Sequence, residues 1–276
     1  MIITGGPVRE QVALARAAER AGWDGVFTWD GIHVGDDVEV HDPWAIMAAF
    51  AIATERVRLG AIIQPLARRK PWEVARQSTT VDRLSNGRLV LPVGLGAVND
   101  AGFGRVGEVT DRRIRAERLD ETLRILEGLW SGEAFGFEGR HYRFEPMAFR
   151  PTPVQRPRIP IWVVGLWPSE RSMRRVARYD GFLPNYAPPE GGHAAGIPPE
   201  VVRDMRAWLD ERSGDRTIDI VVEGSTAADD PSAAADRVRP MAAAGATWWI
   251  ESDWSTFEVE PMRRRIEAGP PSFEEA

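Results

Sequence analysis

Apolar positions along this chain alternate between two rhythms: short unbroken runs, which suit strands buried on both faces, and longer stretches with helical spacing. Ile2 to Thr4 reads as a minimal first strand. Gly5-Gly6-Pro7 then turns into a helix from about Val8 to Ala21, where Val12, Ala13, Ala17 and Ala21 recur on one face before Gly22 stops it. A second strand covers Gly25 to Asp30. Asp42 caps the next helix, Pro43 lies in its first turn, and the segment to about Thr54 is apolar nearly all round, which predicts burial. Arg56 to Gln64 reads as a third strand and Pro71 to Leu84 as a helix. Asn86-Gly87 supplies the left-handed residue that closes such a helix, and the apolar run after Arg88 is strand four, leaving through Gly94 and Gly96.

The same rhythm continues. A helix from about Arg112 to Trp130 places Leu119, Leu123, Leu126 and Trp130 on one face, and Ser131-Gly132 ends it. Between Glu133 and Pro160 the period changes to two, with Phe135 and Phe137, then Tyr142 and Phe144, around Glu138-Gly139; this predicts a small hairpin followed by a proline-rich connection. Strand five is Ile161 to Val164, strand six Phe182-Leu183, strand seven Ile218 to Val222 and strand eight Thr247 to Ile250. Their helices begin near Ser169, Pro199, Asp230-Pro231 and Glu260. The loop from Tyr186 to Pro198 is rich in Pro and Gly, a composition common in lids and covers. Eightfold alternation of strand and helix predicts an α/β fold: a single (β/α)8 TIM barrel domain spanning residues 1–276, with the hairpin inserted between helix four and strand five. Pro92 inside strand four cannot donate to a ladder, so a bulge is expected there.

Composition narrows the chemistry. Lys+Arg 35 against Asp+Glu 41 gives a net charge of -6, which offers no electrostatic footprint for nucleic acid or an anionic membrane. No apolar run approaches the ~20 residues of a bilayer span and no signal core follows Met1, so a cytoplasmic location is expected. With Cys 0, disulfides and thiolate chemistry are excluded, and Lys70, the single lysine, precedes Pro71 in a loop unsuited to a Schiff base. The four histidines lack metal-ligand spacing.

In a barrel, ligands bind at the carboxyl ends of the strands. Those ends offer Asp30 to His33, Ile63-Gln64-Pro65, Gly94 to Asp100, Val164 to Arg171, Asn185-Tyr186, Glu223 to Thr226 and Glu251 to Asp253. Gly94 and Gly96 lack the side chains that would hold a flat ligand off the backbone. Gly165-Leu166-Trp167-Pro168-Ser169 turns from strand to helix, where N–H groups would face a phosphate with Arg171 and Arg174 nearby; an ordinary turn capped by Ser169 is the alternative. Asp30 suits either a surface turn or a partner for a cofactor ring, Glu223 and Glu251 are candidate acids, and His33 and His41 read as loop residues.

Taken together, Ala15 to Asp30, Thr54 to Gln64, Asp82 to Gly96, Pro157 to Gly165 and Arg174 to Pro184 resemble the bacterial luciferase-like family of flavin- and deazaflavin-dependent oxidoreductases. The resemblance implies hydride transfer or monooxygenation of a small-molecule substrate with FMN or coenzyme F420, and a flavin reductase as partner if the cofactor is FMN. It implies a homodimer. The ring would lie near Asp30, Ile62, Ile63, Gln64, Gly94, Leu95 and Gly96, and the phosphate at Gly165, Leu166, Trp167, Ser169 and Arg171, with Glu223 and Asp30 as catalytic candidates. It also implies a cis bond between non-proline residues within Ile62 to Gln64. Two departures stand out: Gly31 occupies the place where the family commonly has His, and Pro92 a place where it commonly has Gly. The first removes a residue expected at the reactive edge of the ring, so a non-catalytic flavin-binding protein is a second reading, and a cofactor-free barrel acting on a phosphorylated metabolite a third.

Overall fold

The computed structural model describes residues 1–98, 101–188 and 196–272, and these gather into two compact units, Met1–Val26 with Pro160–Ala276 and, separately, Phe27–Ile159. In chain order the elements are α1 (Val8–Arg20), β1 (Gly25–Thr28), α2 (Pro43–Ala53), β2 (Arg58–Ala61), β3 (Gln64–Pro65), α3 (Pro71–Leu84), β4 (Leu91–Gly94) and α4 (Arg112–Ser131). The chain continues through β5 (Ala134–Glu138), β6 (Arg143–Ala148), β7 (Ile161–Trp167), α5 (Glu170–Val176), β8 (Gly181–Tyr186), α6 (Pro199–Ser213), β9 (Asp219–Gly224), α7 (Pro231–Ala243), β10 (Trp248–Glu251) and α8 (Val259–Glu267). The expected loop from Tyr186 to Pro198 lies partly outside the described residues, as does the end of the stretch from Gly94 to Asp100.

In the first unit β7, β8, β9 and β10 form a parallel array in sequence order. Its strands are longer than the apolar runs alone indicate, because β7 and β8 stay paired through Leu166↔Asn185 and Trp167↔Tyr186. Trp162, Phe182, Ile220, Val221 and Ile250 are buried here, and Trp162 packs its indole on Trp248 with centroids 5.2 Å apart. The first expected strand is a correction: Ile2 to Thr4 forms a single bridge rather than a strand, with Ile2 donating its N–H to Glu251 O at 2.9 Å.

In the second unit the third expected strand is divided. β2 and β3 are separated by Ile62 and Ile63, whose shared peptide bond is cis. β3 runs parallel to β4 through Gln64↔Val93 and Pro65↔Gly94, whereas Leu59 pairs with Leu89 further back. The register therefore slips by one residue, and the extra residue lies between β2 and β3 instead of at Pro92 where the bulge was expected. Between α4 and β7, β5 and β6 pair antiparallel with a register shift between Phe135 and Phe137. Phe135, Phe137 and Phe144 form one aromatic cluster, with Trp72 of α3 set edge-on to Phe144 at 6.2 Å.

The amino end of β4 is held by polar side chains. After α3 the chain turns through Asn86 (φ 54) and Gly87 (φ 83), both left-handed as such a helix end requires. Asp82 accepts from the N–H of Val154 at 2.6 Å and from Gln155 Nε2 at 2.8 Å, fixing the return from the hairpin. Arg88 donates to Thr54 Oγ1 and to the carbonyls of Ala51, Thr54, Val57 and Ser85, closing the open carbonyl end of α2.

Candidate functional site

Within the second unit, the loops that leave β1, β3 and β4 surround a cavity of about 500 Å³ lined by Gly31, Ile32, Val40, His41, Asp42, Pro43, Arg68, Arg69, Gly102, Val106 and Glu108. Asp30 stands behind its wall with its side chain fully enclosed. Arg68 Nη2 donates to Oδ1 at 2.9 Å and Arg69 Nε to Oδ2 at 2.9 Å, so each carboxylate oxygen of Asp30 accepts from a guanidinium. A buried charge with two such partners is a fixed element of the wall. It locks the turn after β1 to the turn after β3.

Gly31 is short of room. A Cβ there would come within 2.3 Å of the Trp29 ring, so the indole occupies the space that a side chain at 31 would need. His33 turns to Asp36, with Nε2 and Oδ1 3.0 Å apart. His41 does line the cavity, and its Nε2 is buried with no hydrogen-bond partner among the described residues; Glu39 Oε2 lies 3.9 Å away. Asp42 performs the expected capping of α2, accepting from Ala45 N at 2.9 Å.

The exit from β4 is held by a residue that spacing does not single out. Arg115 of α4 is almost fully buried and donates from Nη1 to Leu95 O at 2.7 Å and Gly96 O at 2.8 Å. Its guanidinium lies 5.0 Å from the centre of the Phe103 ring, and that of Arg68 lies 5.3 Å from the same ring. Burial, reinforced by Arg112, pushes the Arg115 pKa below its usual range. Gly96 adopts φ +75, and a Cβ there would meet Pro65 at 2.6 Å and Phe103 at 2.9 Å, so its lack of a side chain answers first to local packing. Ile62 and Gln64 are buried and Ile63, Leu95 and Gly96 half-buried. Both amide atoms of Gln64 lack a hydrogen-bond partner among the described residues.

In the first unit, Gly165 lies where a Cβ would strike Val176 at 2.6 Å and Phe182 at 2.7 Å, again a packing requirement. The turn uses part of its own donor set: Leu166 N–H donates to Ser172 Oγ at 2.8 Å and Ser169 N–H to Leu166 O at 2.9 Å. Ser169 stands at the N-cap of α5 but makes no side-chain cap bond, so the alternative of an ordinary turn capped by its hydroxyl is not what is seen. Arg171 is exposed and Trp167 half-buried. At the end of β9 Glu223 is exposed, and its Oε1 accepts from Ser252 Oγ at 2.8 Å and Trp254 Nε1 at 2.5 Å. Glu251 at the end of β10 is buried; it accepts from Thr226 N–H at 2.5 Å, Thr226 Oγ1 at 2.8 Å and Trp249 Nε1 at 3.0 Å, with Arg265 Nε 3.3 Å away. That carboxylate is structural. Among the described residues no group of three or more His, Asp or Glu could hold a metal ion, and no helix is long and apolar enough to cross a membrane.

The chain matches the family of luciferase-like monooxygenases over residues 1–275. It belongs to this family. A curated relative, the F420-dependent glucose-6-phosphate dehydrogenase of Gordonia bronchialis, is 32% identical over 184 residues, which is 63% of this chain and 52% of that protein. The chain thus spans about half the length of that relative. Among solved structures, the coenzyme F420-dependent tetrahydromethanopterin reductase of Methanopyrus kandleri superposes with a TM-score of 0.78 at 14% identity, covering 97% of this chain and 96% of that one. The oxygenating constituent of 3,6-diketocamphane monooxygenase from Pseudomonas putida, in complex with FMN, gives 0.64 at 18% identity over 88% and 70% of the two chains. At these identities the structural matches speak for the fold.

Proposed function

We propose that the chain is a flavin- or deazaflavin-dependent oxidoreductase that uses FMN or coenzyme F420 for hydride transfer or monooxygenation of a small organic substrate. Membership of the family along residues 1–275 carries the reading. The F420 dependence of the Gordonia relative and the FMN in the Pseudomonas structure support both cofactors equally. The same proposal folds residues 1–276 into one closed (β/α)8 barrel with the β5–β6 hairpin as an insertion, working as a cytoplasmic homodimer, with a reductase as partner if FMN is the cofactor.

Two observations support a ligand beside the carboxyl ends of β1, β3 and β4, although Asp30, Ile62 to Gln64 and Gly94 to Gly96 are not themselves in the cavity's lining. A cavity of about 500 Å³ lies within the roughly 300 to 1,000 Å³ of small-molecule sites. The amide of Gln64, the first residue of β3, is a donor and acceptor pair that nothing described satisfies. A bound cofactor supplies the redox chemistry, and the protein's share is position, charge and exclusion of water. On this proposal Asp30, held by Arg68 and Arg69, fixes the wall beside the ring, Ile62, Ile63 and Gln64 meet one edge, and Gly94 to Gly96, held by Arg115, form the floor. Separately, the turn from Gly165 to Ser169 with Arg171 would meet the phosphate, and Glu223 would hold or release a proton at its carboxylate.

Trp29 standing over Gly31 supports the non-catalytic flavin-binding protein as second reading, since the imidazole common at that place is absent and has no room. Titration with FMN and with coenzyme F420, followed by absorbance and fluorescence, tests the first reading. Saturable binding of at least one, with a Kd of about 10 μM or tighter, is expected. Binding of neither overturns it. Binding with no reduction or oxidation of the cofactor by any alcohol, aldehyde or ketone selects the second.

A further inference from the structure

The first unit has a cavity of its own, of about 430 Å³, at the amino ends of β1 and β10, and it shares no lining residue with the cavity of the second unit. We propose that it binds a small organic monocation, an alkylammonium whose apolar exterior meets indole rings and whose charge faces Asp24. Trp23, Trp248, Trp249, Pro270 and Pro271 give the wall its aromatic and aliphatic surface. Each indole is fixed by a contact outside the lining. Trp23 Nε1 donates to Ile266 O at 2.9 Å, and Trp248 packs on Trp162 with centroids 5.2 Å apart. Trp249 Nε1 donates to Glu251 Oε2 at 3.0 Å, and its ring lies so close to Gly224 that a Cβ there would come within 2.5 Å of it. Rings held in place before a ligand arrives give up little freedom when it binds.

Charge decides the class of ligand. Asp24 is the ionisable side chain of this lining among the described residues; it is exposed and makes no hydrogen bond or ion pair with any of them. Thr247, the other polar side chain besides the indoles, is spent on the fold: its Oγ1 donates to Asp219 Oδ1 at 2.8 Å and accepts from the N–H of Ile220 at 3.1 Å. The Met1 amine donates to Gly25 O at 3.0 Å, and burial pushes its pKa down to about 5, against the pull of Glu251 and Asp24, so it carries no charge at neutral pH. Arg265, whose guanidinium lies 5.0 Å from the centre of the Trp23 ring, is outside the lining and is paired with Glu251. The wall therefore offers a carboxylate without a counter-ion beside indole faces, which attract a cation through the negative potential of the ring. An anion would be repelled by Asp24, and a neutral apolar ligand would cover the carboxylate and return nothing for its lost water.

The test is an NMR titration of the whole chain, observed at the indole N–H signals, with choline and, separately, with 3,3-dimethylbutan-1-ol, its uncharged isostere, at constant ionic strength. Choline is expected to shift the signals of Trp23, Trp248 and Trp249 with a Kd of about 1 mM or tighter, and the isostere to bind at least about fivefold more weakly. Asp24→Asn should weaken choline by about fivefold and leave the isostere unchanged, while Asp24→Glu keeps most of the choline affinity. Because Asp24 is exposed and bonds to nothing described, both variants should keep the wild-type midpoint in urea; were either disturbed, the comparison of the two probes on the wild type decides alone. Choline that moves none of the three signals, that binds no better than its isostere, or that binds a folded Asp24→Asn as tightly as the wild type overturns the proposal.

Discussion

At the amino end of β4, Asp82 and Arg88 place their polar atoms on backbone groups that would otherwise be open, from Ala51 to Gln155. At the carboxyl end of the neighbouring strands, the cavity wall leaves His41 Nε2 without a hydrogen-bond partner among the described residues, 3.9 Å from Glu39, and Ile32 and Val106 exposed. A polar side chain whose bonding capacity is consumed by the fold is architecture, and one left over beside a cavity is available to a ligand. The same contrast separates Glu251, enclosed by Thr226, Trp249 and Arg265, from Glu223, which is exposed one strand away.

Breaking the architectural end should have the largest effect. Asp82→Ala leaves the N–H of Val154 and the amide of Gln155 without their acceptor, at a cost of about 3 to 4 kcal/mol in urea denaturation. Cofactor affinity of the folded fraction should stay as in the wild type; a loss of affinity matching the loss of stability would erase the distinction between the two ends. Asp30→Asn comes next, with about 3 kcal/mol of stability lost because two largely buried guanidinium groups lose their counter-ion. Because Asp30 is a fixed element of the wall beside the proposed ring, the change should also weaken FMN or F420 by tenfold or more, and unchanged affinity would show that Asp30, like Asp82, serves the fold alone.

Glu223→Gln is aimed at an exposed carboxylate, one oxygen of which accepts from Ser252 and Trp254. If its carboxylate moves a proton, turnover falls by roughly 10²-fold while cofactor affinity holds, and unchanged turnover removes it from the mechanism. Ser169→Glu should weaken FMN or F420 by about tenfold through repulsion of the phosphate, with riboflavin hardly affected. Equal weakening of both would show a disturbed turn. No change would put the phosphate elsewhere.

What could be read from the sequence divides along the same line. The left-handed turn at Asn86-Gly87 and the Asp42 cap are local rules, satisfied within a few residues, and both stand as expected. The cis bond at Ile62–Ile63 follows from the resemblance. The division of strand three could not be read, because the run from Leu59 to Ile63 is apolar throughout and its one breaker, Gly60, lies inside β2 and not at the division. Asp82 shows nothing in its neighbourhood of a partner 72 residues away. Arg115 looks like one of many surface arginines on α4 until the exit of β4 folds over it. Gly96 looks like an opening for a flat ligand and Gly165 like the start of a phosphate turn, but a side chain there would strike Phe103 and Phe182, neighbours that spacing does not reveal.

Acid provides the gentlest test of the contrast, at two carboxylates one helical turn apart on α4. Glu121 is buried and accepts from the backbone N–H groups of Arg140, His141 and Tyr142 at 2.7, 3.0 and 3.1 Å, so it belongs to the turn of the hairpin. Glu117 instead pairs with side chains, His141 Nε2 at 2.9 Å and Arg140 Nη1 at 3.0 Å. The hydrogen bond from His141 is the main cause that lowers the Glu117 pKa from its usual 4.5, with Arg113 and Arg140 adding to it. A carboxylate that titrates lower in the folded than in the unfolded chain stabilises the fold fully above the unfolded value, and that contribution is lost as the pH falls through the folded value. Glu117→Gln should therefore reduce stability modestly at pH 7 and flatten the decline of stability below pH about 4.5. Urea denaturation of wild type and variant between pH 3 and pH 7 measures it. Parallel curves would mean that the His141 and Arg140 contacts are too well hydrated to matter, leaving the buried Glu121 to anchor the backbone of the hairpin turn on α4.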